Sequence, residues 1–134
     1  MSEEKVKYFE AVGKRKTARA RVRISPASKT SYEINGKAGD VYFPGEGQAR
    51  TIREPLVTAG VDQKFKITAR ITGGGTKAQL EALKLGLARS LTKFDIGLRS
   101  SLKKALLLRR DPRIKERRKF GLKKARKAPQ WSKR

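Results

Sequence analysis

The final eighteen residues, from Arg117 to Arg134, limit what this chain can fold into, because nine of them are Lys or Arg and none is acidic. Like charges at this density repel, and the few apolar residues among them cannot offset the entropy lost on ordering. We therefore expect an extended tail that becomes ordered on a polyanion. Phe120 and Trp131 stand among the cations. Because aromatic rings stack on exposed bases, this composition favours RNA.

The rest of the chain is basic as well. Over 134 residues, 35 Lys and Arg against 12 Asp and Glu give a net charge of +23. Of this excess, +14 belongs to residues 1–110 and +9 to residues 111–134. With 37% hydrophobic residues, a chain of this length builds one modest core. We predict a globular α+β RNA-binding domain over residues 1–110 and a basic extended tail over residues 111–134.

Several function classes are excluded by composition. The absence of Cys and His excludes zinc knuckles, disulfides and imidazole catalysis. Asp62 and Asp95 are isolated acids, so they offer no convincing metal-binding pair for phosphoryl transfer. No apolar run approaches the roughly 18–20 residues of a membrane span, and the start MSEEKVKYFE lacks signal-peptide features. We expect a cytoplasmic protein that is not an enzyme, with no metal, no cofactor and no membrane partner.

Alternation in TARARVRIS predicts a strand with one apolar and one basic face. Its three arginines point outward, about 6.6 Å apart at 3.3 Å rise per residue. A predicted strand from Val6 to Val12 and a basic turn from Gly13 to Lys16 precede it. We interpret turn and strand as a phosphate-binding surface, made by Lys14, Arg15, Lys16, Arg19, Arg21 and Arg23. The alternative is a merely solvated sheet face, although aligned like charges are unfavourable.

Further along the chain, SYEI is a third predicted strand that ends in a tight Asn35-Gly36 turn. A helix is predicted from Gln48 to Ala59, in which Pro55 requires a break, a kink or a first-turn position. The segment KFKITARI then alternates strictly between apolar and polar residues. It predicts another strand with one core face and one basic face.

A glycine loop, Gly73 to Gly75, separates this strand from a long predicted helix. Thr76 and Gln79 have the spacing of a capping box. The buried stripe of the helix is predicted at Leu80, Leu83, Leu87, Leu91 and Phe94. The loop lacks any nucleotide-binding signature, so an RNA phosphate or a plain turn is favoured over a mononucleotide.

Gly86 lies inside the long helix and indicates close approach of another backbone, of protein or RNA. A last helix is predicted from Leu98 to Leu108, with Leu98, Leu102, Ala105 and Leu106 as its apolar face. Asp111 and Pro112 have the chemistry of a helix start, which predicts a short turn of helix through Glu116.

These residues together resemble a known family. The segments GKRKTARARV, TGGG, LKKA, ERRKFG and the terminal KKARKAPQWSKR are similar, in order, to the ninth protein of the small ribosomal subunit, of bacterial or organellar type. Three positions depart from the family pattern. Trp131 stands where that family usually has Phe, and Ala78 and Leu106 stand where it usually has Gly.

The resemblance implies a two-layer sandwich, with a four-stranded sheet, helices on one side and a long basic C-terminal extension. It implies a structural constituent of the small ribosomal subunit that binds ribosomal RNA in the head domain beside neighbouring head proteins and does not form homo-oligomers. Its tail would reach the peptidyl-site tRNA through Ser132, Lys133 and Arg134. The alternative is a basic nucleic-acid-organising or RNA-chaperone protein outside the ribosome.

The predicted ribosomal-RNA ligands are the cations of the first hairpin and of the tail. They are Lys14, Arg15, Lys16, Arg19, Arg21, Arg23, Arg110, Arg113, Arg117, Arg118, Lys119, Lys123, Lys124, Arg126 and Lys127. In this mechanism the cations displace counterions from the RNA and supply affinity, while the irregular shape of the RNA supplies specificity.

Overall fold

The computed structural model describes residues 7–113, 117, 120, 121, 123, 125–128 and 130. The strands are β1 (Phe9–Arg15), β2 (Ala18–Pro26), β3 (Ser31–Ile34), β4 (Lys37–Ala38) and β5 (Phe65–Thr72). The helices are α1 (Gly39–Tyr42), α2 (Glu46–Ala59), α3 (Thr76–Phe94) and α4 (Arg99–Lys104), with a 3-10 turn at Ile96–Leu98 before α4. This is the α+β mixture that the sequence predicts.

The sheet has five strands in the order β1-β2-β5-β3-β4, so the expected count of four is wrong. The fifth strand is β4, the two-residue return arm of the predicted Asn35-Gly36 turn, where φ is 51° and 80°. Both residues of β4 are exposed, and such a short strand leaves no alternation to detect. All neighbouring strands are antiparallel except β3 and β5, which are parallel.

Helix α3 covers the apolar face of β1 and β2 and forms the centre of the core. The predicted stripe is confirmed, since its four leucines are buried and Phe94 is half-buried. The close approach expected at Gly86 is confirmed too, and the neighbour is protein. A Cβ atom on Gly86 would lie 2.7 Å from Val22 Cγ2, and one on Gly13 would overlap the Ala82 carbonyl.

The first strand runs further than predicted. It continues through Gly13, where bare backbone meets α3, and leaves Lys16 and Thr17 as a two-residue turn. Lys16 adopts φ 53° there. The predicted basic turn is therefore mostly strand, which gives Lys14 and Arg15 opposite faces.

Three helix predictions require correction. Helix α2 begins two residues earlier and runs through the fully buried Pro55, whose packed ring offsets the missing hydrogen bond. Helix α3 has Gly75 as its N-cap, without a side-chain cap. Gln79 instead donates to the Gly73 carbonyl, 3.0 Å, and accepts from the Tyr42 hydroxyl, 2.8 Å. The predicted capping box is therefore absent.

Helix α4 is shorter than the predicted Leu98 to Leu108. It ends because Leu106 adopts the left-handed conformation, φ 62°. The Leu106 amide donates to the Lys103 carbonyl, 3.1 Å, and the Leu107 amide to the Leu102 carbonyl, 3.0 Å. This is a Schellman motif, closed by the buried pair Leu102 and Leu107. Leu106 itself is 69% exposed, and Ala105 is also exposed, so neither is on the apolar face.

Strand β1 lies at one edge of the sheet, and two side chains of α3 cover that edge. Lys93 Nζ donates to the Glu10 carbonyl, 2.6 Å, and Arg89 Nη1 to the Val12 carbonyl, 2.8 Å. These carbonyls would otherwise be free to accept another strand.

Candidate nucleic-acid interface

The sheet face opposite α3 is the candidate interface. Arg19, Arg21 and Arg23 lie exposed on it, as the alternation of β2 predicts, while Ala18, Ala20, Val22 and Ile24 are buried beneath. Lys14 lies beside Arg19 on β1, and β5 adds two more exposed cations, Lys66 and Arg70. We call these six residues the cationic sheet face. They are Lys14, Arg19, Arg21, Arg23, Lys66 and Arg70.

Arg70 and Lys66 are the residues of this face that the predicted site missed. Arg70 is the register partner of Arg21 in the antiparallel pair of β2 and β5. Facing residues in such a pair have Cβ atoms about 4.5–5.5 Å apart, and like charges there repel. A bound phosphate would turn that repulsion into attraction. The alternation of KFKITARI already places Arg70 on a basic face, but its position opposite Arg21 depends on strand order.

One carboxylate orders two of these arginines. Glu10 Oε1 lies 3.0 Å from Arg21 Nε, and Glu10 Oε2 lies 3.2 Å from Arg23 Nε. The Arg23 guanidinium also lies over the Tyr8 ring, 4.7 Å from its centroid. Arg19 and Arg70 pair with no carboxylate among the described residues. The face therefore combines two arginines that are ion-paired with Glu10, Arg21 and Arg23, with two that are not, Arg19 and Arg70.

An open groove of about 730 Å³ crosses this face. Its lining includes Arg21, Arg23, Arg70, Asn35, Thr68 and Thr72, and one acidic residue, Glu33. The Asn35 amide already donates to the Ile71 carbonyl, 2.9 Å, and to the Tyr42 hydroxyl, 3.2 Å. Guanidinium and hydroxyl groups are donors that phosphate and ribose oxygens accept. The groove is therefore suited to a sugar-phosphate backbone.

The glycine loop packs against protein. Gly73 and Gly74 have φ 74° and 67°, and Cβ atoms on them would lie 2.5 Å from the Thr17 carbonyl oxygen and 2.9 Å from Ala18 Cβ. This contact favours the plain turn over the phosphate cradle. Lys16, in the turn between β1 and β2 that contains Thr17, is exposed.

Arg15 lies apart from the other predicted ligands. It points toward the helical layer, and its side chain is only 12% exposed. Its guanidinium contacts the carboxylates of Glu81 and Asp111 and the carbonyls of Asp111 and Arg113. The parity of the strand predicts this, since Arg15 shares its face with Ala11 and Gly13.

The predicted ligands of the tail are only partly described. Arg110, Arg113, Arg117, Lys123, Arg126 and Lys127 are exposed. Phe120 is fully exposed. Arg118, Lys119, Lys124, Ser132, Lys133 and Arg134 lie outside the described residues, as do Trp131 and residues 114–116 of the predicted helical turn. The Asp111 carboxylate does accept the Arg113 amide, 3.0 Å, as a helix start would require.

Other kinds of site have little support in the described part of the chain. No three His, Cys, Asp or Glu side chains come together there in a way that could hold a metal ion. No helix among the described residues is long and apolar enough to cross a membrane.

The fold and this interface define a small basic α+β protein with one apolar sheet face packed on a long helix and one cationic face open to solvent. A family described as Ribosomal protein S9/S16 matches residues 13–134. The chain belongs to this family, which confirms the resemblance read from its motifs.

Curated relatives agree with the family assignment. The chain is 52% identical to small ribosomal subunit protein uS9 of Cutibacterium acnes over 125 residues, which cover 92% of this chain and 72% of the relative. It is 47% identical to the uS9 proteins of Saccharopolyspora erythraea and Mycobacterium ulcerans. Those matches cover 93% and 94% of this chain and 81% and 82% of the relatives.

Proposed function

We propose that this chain is a structural component of the small ribosomal subunit that binds ribosomal RNA through its cationic sheet face and its C-terminal segment. The observation that carries the proposal is Arg70 opposite Arg21, with Arg19 and Arg23 beside them on a face that protein leaves open. Family membership supports the ribosomal setting. Neighbouring head proteins are its proposed protein partners.

Affinity in this proposal comes from counterion release. Each phosphate that a cation neutralises adds about 0.7–0.9 to the slope of log K against log salt. The held arginines, Arg21 and Arg23, lose less side-chain entropy on binding because Glu10 already orders them. The free cations, Arg19 and Arg70, supply charge without breaking an ion pair.

The tail has a second proposed partner. We propose that Ser132, Lys133 and Arg134 contact the peptidyl-site tRNA during translation, as the resemblance implies. The polar and cationic ends of these side chains match the phosphates of a tRNA backbone. Removing Trp131 to Arg134 leaves 33 of the 35 Lys and Arg residues in place.

One experiment tests both parts with purified protein and reconstituted subunits. Replacing Arg19, Arg21 and Arg23 by Ala should reduce the salt slope of binding to a small-subunit ribosomal RNA fragment by about 2–3 units. The matched control replaces three exposed cations of the helices, Arg50, Arg53 and Arg99, by Ala. An equal loss of slope in the control would contradict the sheet face as the binding surface.

The second arm measures tRNA. Subunits assembled with the chain lacking Trp131 to Arg134 should contain normal amounts of the protein, because the cationic sheet face is intact. Their affinity for peptidyl-site tRNA in filter binding should fall a few-fold, about the size of one or two screened phosphate contacts. Failed incorporation with normal tRNA affinity would make the tail an assembly element instead.

A further inference from the structure

Arg15 joins three parts of the fold at the point where the C-terminal segment leaves the domain. It is the last residue of β1, its Nε donates to the Glu81 carboxylate of α3, and its Nη1 donates to the Arg113 carbonyl at 2.6 Å. The same nitrogen lies 3.4 Å from the Asp111 carbonyl, and Nη2 lies 3.5 Å from Asp111 Oδ2. Four of the five guanidinium donors therefore face protein acceptors.

The segment that Arg15 contacts, Asp111 to Arg113, is closed into a loop by its own hydrogen bonds. The Asp111 carboxylate accepts from the Arg113 amide at 3.0 Å and from Arg113 Nη2 at 2.8 Å. These hydrogen bonds hold the pKa of Asp111 well below its usual range. The loop orients the carbonyls of Asp111 and Arg113 toward Arg15. Beyond Arg113 the tail begins.

We propose that Arg15 is a positioning residue that fixes the direction in which the C-terminal tail leaves the globular domain. The functional part of this inference rests on the proposed contact between tail and tRNA. A tail held at its root samples fewer directions, so its end spends more time near one target. Arg15 thus serves the tail from within the domain, while the cationic sheet face serves the ribosomal RNA.

The geometry requires arginine. A planar guanidinium reaches a carboxylate on one side and two carbonyls on another, whereas a lysine ammonium is a single point charge. The variant Arg15→Lys therefore keeps the net charge and removes the planar set of donors that contacts several acceptors at once. Arg50→Lys is the matched control, because Arg50 is exposed on α2, lies outside the cationic sheet face and pairs with no carboxylate among the described residues.

A second variant distinguishes two roles for Arg15, anchoring of the tail and direct binding of RNA, because the two roles predict different effects on RNA affinity. Glu81→Gln removes the carboxylate partner of Arg15 and raises the net charge by one. If Arg15 binds RNA, releasing it should strengthen RNA binding. If Arg15 anchors the tail, Glu81→Gln should loosen the tail as Arg15→Lys does.

The test measures amide exchange of Arg113 and affinity for a small-subunit ribosomal RNA fragment in the free protein, and tRNA affinity in reconstituted subunits. We expect exchange to accelerate about tenfold in Arg15→Lys and Glu81→Gln, with a few-fold loss of peptidyl-site tRNA affinity and unchanged incorporation. Arg50→Lys should change neither. Unchanged Arg113 exchange in both variants would overturn the proposal. So would RNA binding that tightens more in Glu81→Gln than in Asp62→Asn, which raises the net charge equally at an exposed position. If Arg15→Lys fails to fold, Glu81→Gln decides alone.

The chain lacking Trp131 to Arg134, measured in the same series, separates the two proposals. If this truncation leaves tRNA affinity unchanged, the contact between tail and tRNA is wrong. Arg113 exchange in the full-length variants then still decides whether Arg15 anchors the segment.

Discussion

Leu106 occupies a backbone conformation that ordinarily belongs to glycine, and replacing it by Gly should stabilise the domain. Its φ of 62° places it in the left-handed region at the C′ position of the α4 Schellman motif. Its side chain is 69% exposed, so little packing is lost with it. The buried contact that closes the motif is made by Leu102 and Leu107, which the substitution leaves intact.

The size of the effect follows from two opposing terms. An L-residue in the left-handed region is disfavoured by about 1–2 kcal/mol, which glycine avoids. Glycine in turn costs about 0.5–1 kcal/mol through the greater freedom of the unfolded chain. The Leu106→Gly variant should therefore gain about 0.5–1 kcal/mol. In a domain of about 100 residues this raises Tm by about 2–6 °C.

Thermal unfolding followed by circular dichroism measures this shift, with Leu106→Ala as the control. Alanine also lacks the leucine side chain but keeps the Cβ atom that disfavours this φ. We expect it to remain within about 0.5 kcal/mol of the parent. Equal stabilisation by both variants would show that removal of the exposed side chain is responsible, and destabilisation by Gly would refute the backbone argument.

Two further predictions concern packing and ionisation. Gly86→Ala should destabilise the protein by about 1–3 kcal/mol in denaturant unfolding, because its Cβ would lie 2.7 Å from Val22 Cγ2; Gly47→Ala, in helix α2 with open space around it, should instead be stabilising by up to about 1 kcal/mol. Burial raises the pKa of Tyr32 from 10.0 to about 12, so the fold favours the neutral phenol and this contribution to stability, complete below pH 10, is lost as pH rises through 12. Alkaline titration by ultraviolet absorbance should show one tyrosine that ionises near pH 12, and Tyr32→Phe should remove this step. If the step persists in the variant, it belongs to another tyrosine.

Features encoded within one continuous segment were predictable from the sequence. The alternation of β2 and β5 and the leucine stripe of α3 each follow from a single segment, and the structure confirms them. The close approach at Gly86 was also predictable, because glycine in a helix interior is destabilising and usually occurs there for packing. Features that depend on distant residues were not. Gln79 bonds to Tyr42, which is 37 positions away, rather than completing a cap.

The candidate site shows the same division. The outward arginines of β2 were predictable, whereas Arg70 became their partner only through the pairing of β2 with β5. The charge of Arg15 resembles that of its basic neighbours, whereas its strand parity places it on the opposite face. Its partners, Glu81 and Asp111, are 66 and 96 positions away in the chain. Strand parity indicates that Arg15 faces the protein, but it cannot identify these two partners.

The contacts of Arg89 and Lys93 with the carbonyls of β1 affect how the protein behaves after its synthesis and before it binds RNA. A subunit protein released before its RNA is available must remain dispersed, and an uncovered outer strand would offer a second chain a template for intermolecular sheet growth. Two cations of α3 donate to two carbonyls of this strand, those of Val12 and Glu10. We therefore expect that neutralising Arg89 and Lys93 lowers the concentration at which the RNA-free protein aggregates.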